Sequence, residues 1–277
     1  TLSSSSAASD VYKRQVHRGQ PLLTAELPET GERFEGILPP AAPGPAFALR
    51  KRAFGVIPLS RYIEDGMMTA AQAGLLVRAV RERQNILIAG GTSTGKTTLA
   101  NALLAEIAAT GDRVLVLEDT VELQCAARDH VPLRTRQGVV SMTELVRSSM
   151  RLRPDRVVVG EVRGAEALDL IKVWGTGHPG GIATIHAGSA LGALLRLEQL
   201  ILEVAVNPPP ALIAEAVNVV IHIAGRGRKR RIESIARVVG FDGSGYQLAD
   251  ALEAPFPELL PQSDLSSVSP DQPGELP

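Results

Sequence analysis

Residues 90–98 read GGTSTGKTT, set between the apolar run NILIAG and the segment KTTLANALLAEIAAT. The pattern G-x-x-x-x-G-K-[ST] falls on Gly90, Gly95, Lys96 and Thr97, with a strand before it and a helix after it, which is the context the motif requires. The glycines let backbone N–H groups turn inward around β- and γ-phosphates, and the helix N-terminus adds its dipole. Lys96 supplies a point charge, and the Thr97 hydroxyl is a hard oxygen ligand suited to Mg²⁺. The competing reading, a Gly/Thr turn beside a surface lysine, does not account for motif and context together. Gly90, Gly91, Thr92, Ser93, Thr94, Gly95, Lys96, Thr97 and Thr98 are therefore expected to bind ATP with Mg²⁺.

The text around the loop is α/β. NILIAG, RVLVLE, RVVVG and GIATIHAG are short apolar strands, and helical segments separate them. This alternation predicts a mostly parallel sheet covered on both faces. After it, SALGALLRLEQLILEV and PPALIAEAVNVV read as helices, and VVIHIAG and RRIESIARVVGF as a strand pair. The expected organisation is a lead-in at 1–15, the remnant of a small α+β N-terminal domain at 16–52, a linker at 53–60, an ATPase domain at 61–248 and a disordered tail at 249–277. The lead-in TLSSSSAASDVYKRQ lacks apolar periodicity and reads as disordered or foreign sequence. In the second segment, Leu22–Leu27, Phe34–Leu38 and Ala46–Leu49 alternate with turn residues, as in a β-rich piece too small to bury a core alone.

Composition narrows the class. A formal net charge of −1 creates no global field toward nucleic acid or anionic lipid. The single cysteine, Cys125, excludes intrachain disulfides and Cys-based zinc modules. No apolar run approaches the roughly 20 residues that span a bilayer, and the Ser-rich start has no apolar core of a secretory signal. The chain reads as soluble and cytoplasmic.

Acidic residues stand at two strand ends. LEDTVEL places Glu118, Asp119 and Glu122 after the second strand, where carboxylates could position an attacking water or hold Mg²⁺ through water; a solvated acidic turn is the alternative. RPDRVVVGEVRG ends its strand at Glu161, where an aspartate is usual. Its apolar run predicts a central strand, so the carboxylate should lie beside the nucleotide with Mg²⁺ and its waters as partner. TGHPGGIATIHAG puts His178 in a glycine-rich loop and His186 at a strand end, where a neutral imidazole could sense a γ-phosphate.

Taken in order, GGTSTGKTT, VLEDTVELQC, RPDRVVVGEVRGAEA and TGHPGGIATIHAGSA resemble the Walker A, Asp box, Walker B and His box of the type II/type IV secretion ATPases. The resemblance covers about residues 16–245 and is strongest to the TrbB-type conjugal-transfer ATPases. It implies a RecA-like P-loop NTPase core, a homohexameric ring, and ATP bound between an N-terminal domain and that core. It further implies work at the cytoplasmic face of the inner membrane, with secretion or conjugation proteins as partners. By the motif match, Lys96 and Thr97 hold phosphates and Mg²⁺, Glu161 is the Walker B acid and a partly water-mediated Mg²⁺ ligand, Glu118 is a candidate base, and His186 belongs to the His box. Related ATPases bring N-terminal arginines to the phosphates, and GERFEG and FALRK make Arg33 and Arg50 the candidates, with surface arginines as the alternative.

The turn GRGRKRR, residues 225–231, reads as an exposed hairpin kept in solution by charge. Contact with DNA or anionic lipid is its other reading; aromatic residues do not interleave with it, so a peripheral membrane touch is favoured over nucleic acid. Other function classes stay open. A GTPase is disfavoured because the chain has no N-K-x-D sequence, while a small-molecule kinase shares the phosphate loop. A type II secretion or type IV pilus ATPase, and a ring that binds ATP without turning it over, complete the alternatives.

Overall fold

The computed structural model describes residues 21–27, 31–51, 55–136, 138–205 and 210–254 of the 277-residue chain. The expected lead-in and residues 255–277 of the expected tail lie outside the described residues. The chain divides into two compact units, Thr1–Val56 and Ile57–Pro277.

The three apolar stretches of the first unit are strands β1 (Leu22–Glu26), β2 (Arg33–Ile37) and β3 (Ala46–Arg50). They pair antiparallel in the order β1-β2-β3, and the Phe34 and Phe47 rings stack with centroids 5.9 Å apart. Glu26 lies opposite Arg33, and Arg33 opposite Arg50, so the three charges form one row across the sheet.

The second unit is built on one eight-stranded sheet. Its strands are β4 (Ile86–Ala89), β5 (Val114–Glu118), β6 (His130–Arg134), β7 (Arg156–Val159), β8 (Ile182–Ile185), β9 (Val219–Ala224), β10 (Arg231–Phe241) and β11 (Tyr246–Asp250). The order is β11-β10-β9-β4-β8-β7-β5-β6, parallel from β9 to β6, with β10 and β11 antiparallel. Two strands differ from the expectation. β6 was hidden in the text after LEDTVEL because it is an edge strand carrying Pro132, which an edge tolerates. β11 runs to Asp250 and is followed by the fully buried Ala251, so the fold extends past residue 248.

Alternation explains how the strands serve both faces. On β4, Ile86 and Ile88 face one apolar layer while Leu87 and Ala89 face the other; Val114 and Val116 are divided from Leu115 and Leu117 in the same way. The first layer holds helices α1 (Leu59–Glu64), α2 (Ala70–Arg81) and α3 (Lys96–Ile107). The second holds α4 (Met142–Ser149), α5 (Glu166–Gly175), α6 (Ala190–Leu202) and α7 (Pro210–Ala216). Each fully buried aliphatic side chain stabilises the fold by about 1.5–3 kcal/mol. Capping boxes begin two of the helices, Thr69 with Gln72 on α2 and Ser141 with Glu144 on α4.

Polar groups bolt the N-terminal edge of the sheet, opposite the phosphate loop. Buried Asn85 accepts from the N–H groups of Gly180 (2.8 Å) and Gly181 (3.0 Å) and donates to Ala216 O (2.7 Å). Beside it the Arg156 side chain, 1% exposed, donates through Nε to Asp112 Oδ2 at 2.6 Å and through Nη1 to Gly180 O at 3.2 Å. Arg83 and the Thr110 hydroxyl complete the surroundings of Asp112. Burial alone would raise the Asp112 pKa; the Thr110 hydroxyl and the Arg156 guanidinium outweigh it and hold the carboxyl below the usual aspartate range.

Asp112→Ala, which strands the Arg156 charge, should destabilise the unit by about 3–5 kcal/mol, read from denaturant midpoints. The carboxyl titrates lower folded than unfolded, so its contribution is present above the ordinary aspartate pKa and lost as pH falls through the depressed folded value. The acid limb of the stability curve should therefore flatten in Asp112→Asn, and an unchanged limb would contradict the assignment.

Candidate functional site

Strand β4 ends at Ala89, and the chain turns through residues 90–95 into α3. Gly90 is required by space, since a Cβ there would lie 2.5 Å from Ile223 O and 2.6 Å from Thr94 Oγ1. Gly95 is required by conformation, because its φ of +100° belongs to the left-handed region glycine populates freely. The next residue, Lys96, is buried, and its ammonium donates to Gly90 O at 3.0 Å and Gly91 O at 3.1 Å. Thr97 and Thr98 follow in the first turn of α3.

The parallel order decides which strand ends reach this loop. β8 lies next to β4 and ends at Ile185, so His186 stands directly beside the cradle, with Nδ1 3.3 Å from Lys96 Nζ. Its Nε2 is 2.7 Å from Glu161 Oε1, two residues past the end of β7. Lys96 has only protons to give, so Nδ1 accepts and the proton of the neutral ring sits on Nε2, which faces the carboxylate in close contact. Burial, with Lys96 second, holds the imidazole pKa below its ordinary value. Lys96, His186 and Glu161 thus stand in one line of close polar contacts across three strands, and Glu161 Oε1 is itself buried without a hydrogen-bond partner.

Arg163, absent from the sequence reading, closes Glu161 from the other side through Nη2 and lies 3.8 Å from Asp119 Oδ2. Buried Glu166 positions that arginine by accepting from the backbone N–H groups of Arg163 (2.6 Å) and Gly164 (2.9 Å).

The expectation that Glu118 ends a strand beside the phosphate-loop strand needs correction. Its strand, β5, is not beside the phosphate-loop strand; β8 and β7 intervene. Glu118 is buried, and Oε1 accepts from the N–H groups of Glu122 (2.9 Å) and Leu123 (2.8 Å), which ties it to its own loop. Burial raises its pKa against those two bonds. Gly160 makes room for it, since a Cβ there would meet Glu118 Cγ at 3.2 Å. The glycine in VVVGE therefore serves the neighbouring strand's glutamate. Asn101 on α3 holds the same loop: Nδ2 donates to Glu122 O at 3.1 Å, and Oδ1 accepts from Gln124 N at 2.8 Å. No periodicity or motif marks a buried asparagine inside the apolar text of that helix.

His178 precedes β8 and stands at the opposite edge of the sheet from His186. Arg33 and Arg50 belong to the first unit, directly opposite each other on β2 and β3. Among the described residues no group of three or more His, Cys, Asp and Glu is gathered to hold a metal. Glu161 Oε1 is buried without a hydrogen-bond partner and Thr97 lies in the first turn of α3; both are hard oxygen donors of the kind Mg²⁺ takes. Among the described residues no helix is long and apolar enough to cross a membrane.

The chain is similar to known proteins over most of its length. The family described as Type II/IV secretion system protein matches residues 24–232. The conjugal transfer protein TrbB of Rhizobium radiobacter is 50% identical over 230 residues, spanning 82% of this chain and 71% of that protein. The type IV secretion system protein PtlH of Bordetella pertussis is 35% identical, spanning 80% and 76% of the two chains. Among solved structures, the VirB11 ATPase of the Brucella suis type IV secretion system, in complex with sulphate, superposes with a TM-score of 0.54 at 30% identity, covering 84% of this chain and 81% of that one. The pilus retraction motor PilT with bound ADP, at 18% identity, a TM-score of 0.58 and coverage of 90% and 66%, shares the fold. On its four ordered motifs, its fold and these relatives, the chain belongs to the type II/IV secretion system protein family.

Proposed function

We propose that the chain is an ATP-hydrolysing motor of a type IV secretion or conjugative transfer system, powering pilus assembly or translocation of a DNA–protein substrate. The observation that carries this reading is the Lys96–His186–Glu161 chain of contacts, which joins the phosphate loop to the acid of β7. A site that only bound nucleotide would need the loop alone.

In this reading the backbone N–H groups of residues 91–97 and the Lys96 ammonium take the β- and γ-phosphates, and the phosphates compete for the ammonium with the Gly90 and Gly91 carbonyls. Thr97 and Glu161, the latter partly through water, would hold Mg²⁺, which would neutralise charge on the phosphate oxygens. Glu161 accepts a hydrogen bond from the attacking water, whose oxygen bonds to the γ-phosphorus as the bond to the ADP leaving oxygen breaks. His186, kept neutral, passes the position of Lys96 to Glu161. Glu118 acts as an anchor of loop 119–123, leaving Glu161 as the acid nearest the chemistry. Arg33 and Arg50, opposite each other on β2 and β3, remain the arginines proposed by the family resemblance.

The ring and its surroundings are proposed from the resemblance to the family. Exposed apolar side chains along α6, Leu191, Leu195 and Leu202 at helical spacing, fit a surface covered by another copy in the proposed homohexamer. Inner-membrane secretion proteins are the proposed partners, and they bring the chain to the cytoplasmic face. A type II secretion or type IV pilus ATPase is the second reading, supported by the fold shared with PilT.

Two measurements test the site. Lys96→Ala should lose nucleotide binding and Mg²⁺-dependent hydrolysis together. Glu161→Gln should retain binding and lose turnover by about 10²-fold or more. Full turnover in Glu161→Gln would remove that glutamate from the chemistry. Separately, Asn101→Ala removes its two hydrogen bonds to the Glu122 carbonyl and the Gln124 N–H, each worth about 0.5–1.5 kcal/mol. Hydrogen exchange should quicken at Gln124, and exchange unchanged from the parent protein would show that Asn101 does not hold the loop.

A further inference from the structure

The turn between β9 and β10 carries Arg226, Arg228, Lys229, Arg230 and Arg231. Arg226, Arg228, Lys229 and Arg231 are exposed, as a charge-solubilised turn requires. Arg230 departs from that pattern. It is half-buried, its Nε is enclosed with no hydrogen-bond partner, and among the described residues no carboxylate pairs with it.

Its place explains the burial. The turn is drawn tight at Gly225, whose φ is +81° and where a Cβ would meet Lys229 O at 2.0 Å. Arg230 then leaves the turn extended and folds toward the phosphate loop. Its Cδ and Nε stand 3.7 and 3.9 Å from where a Cβ of Gly95 would be. Gly95 is the glycine before Lys96, and its missing side chain is what lets phosphates approach the cradle backbone. Ile223 Cδ1 shares this position at 3.7 Å, and Tyr62 of α1 lies close enough for its phenol to feel the guanidinium charge.

A guanidinium whose Nε is enclosed without an acceptor carries the cost of an unmade hydrogen bond. Its planar fork matches phosphate oxygens, and the vacant Nε lies beside a loop built for phosphates. We propose that Arg230 is a phosphate-binding residue of the nucleotide site, donating to an oxygen of the nucleotide's phosphate chain. This rests on the reading of residues 90–98 as a nucleotide site. It gives that site a positive charge from β9's side of β4, opposite the His186 and Glu161 that come from β8's side.

The test is calorimetric binding of ADP and of adenosine to the full chain and to Arg230→Gln, Arg230→Lys, Arg228→Gln and Lys96→Ala. Arg230→Gln should weaken ADP by about tenfold or more, with adenosine unchanged. Arg228→Gln removes the same formal charge from the exposed part of the turn and should leave ADP affinity as in the parent. Arg230→Lys keeps the charge and most of the stem but loses the fork, so an intermediate loss is expected even if the glutamine variant folds poorly. Parent-like ADP affinity in both Arg230 variants, while Lys96→Ala loses ADP, would overturn the role of Arg230 and leave the nucleotide site standing. Equal loss of ADP in Arg228→Gln and Arg230→Gln would reduce the effect to net charge and overturn it too. Failure of the parent chain to bind ADP would sink both readings.

Discussion

Everything at the candidate site depends on the parallel pairing of β4 with β8 on one side and β9 on the other. In a parallel sheet all the strands deliver their C-terminal ends to the same edge, and loops leaving that edge converge. β4 contributes the phosphate loop, β8 contributes His186, and the segment after β7 contributes Glu161. A change of one position in strand order would separate Lys96 from His186. Burial on both faces enforces the order, because the alternation of Ile86, Leu87, Ile88 and Ala89 between two apolar layers leaves that strand no solvent-facing side.

The two edges of the sheet use charge differently. At the N-terminal edge Arg156 and Asp112 satisfy each other inside the protein, and Asn85 spends its donors and acceptors on backbone groups. That arrangement is closed and serves to hold strands together. At the C-terminal edge the groups are joined less completely: Lys96 rests on loop carbonyls, the His186 side chain is half open to solvent and half buried, and Glu161 is shared by an imidazole and an arginine. Contacts of that kind can be exchanged for a ligand's oxygens without leaving a buried group unsatisfied.

The phosphate loop, the strands around it and their helices were legible because each rests on local pattern: a motif of fixed spacing, apolar runs of strand length, capping residues before α2 and α4. Strand order was not, because periodicity says which segments are strands and not which are neighbours. That is why Glu118 was expected beside the phosphates and instead caps its own loop from three positions away. His186 and Glu161 were legible as residue types at strand ends, but the Lys96–His186–Glu161 connection joins residues 90 and 25 apart in sequence. Asn101, Glu166 and Arg230 escaped for a related reason. Each looks ordinary in its own text, a polar residue on a helix or one arginine among several, and only the fold gives it a partner or an enclosure.

The central claim is that a neutral His186 links the phosphate-loop lysine to the acid after β7. ¹⁵N NMR of histidine-labelled protein, with His186 assigned by its loss in His186→Gln, measures this directly. The account predicts a neutral ring at pH 7 with its proton on Nε2, and a change in both nitrogen shifts when ADP is added. An imidazolium at pH 7, or a proton on Nδ1 facing Lys96, would contradict it.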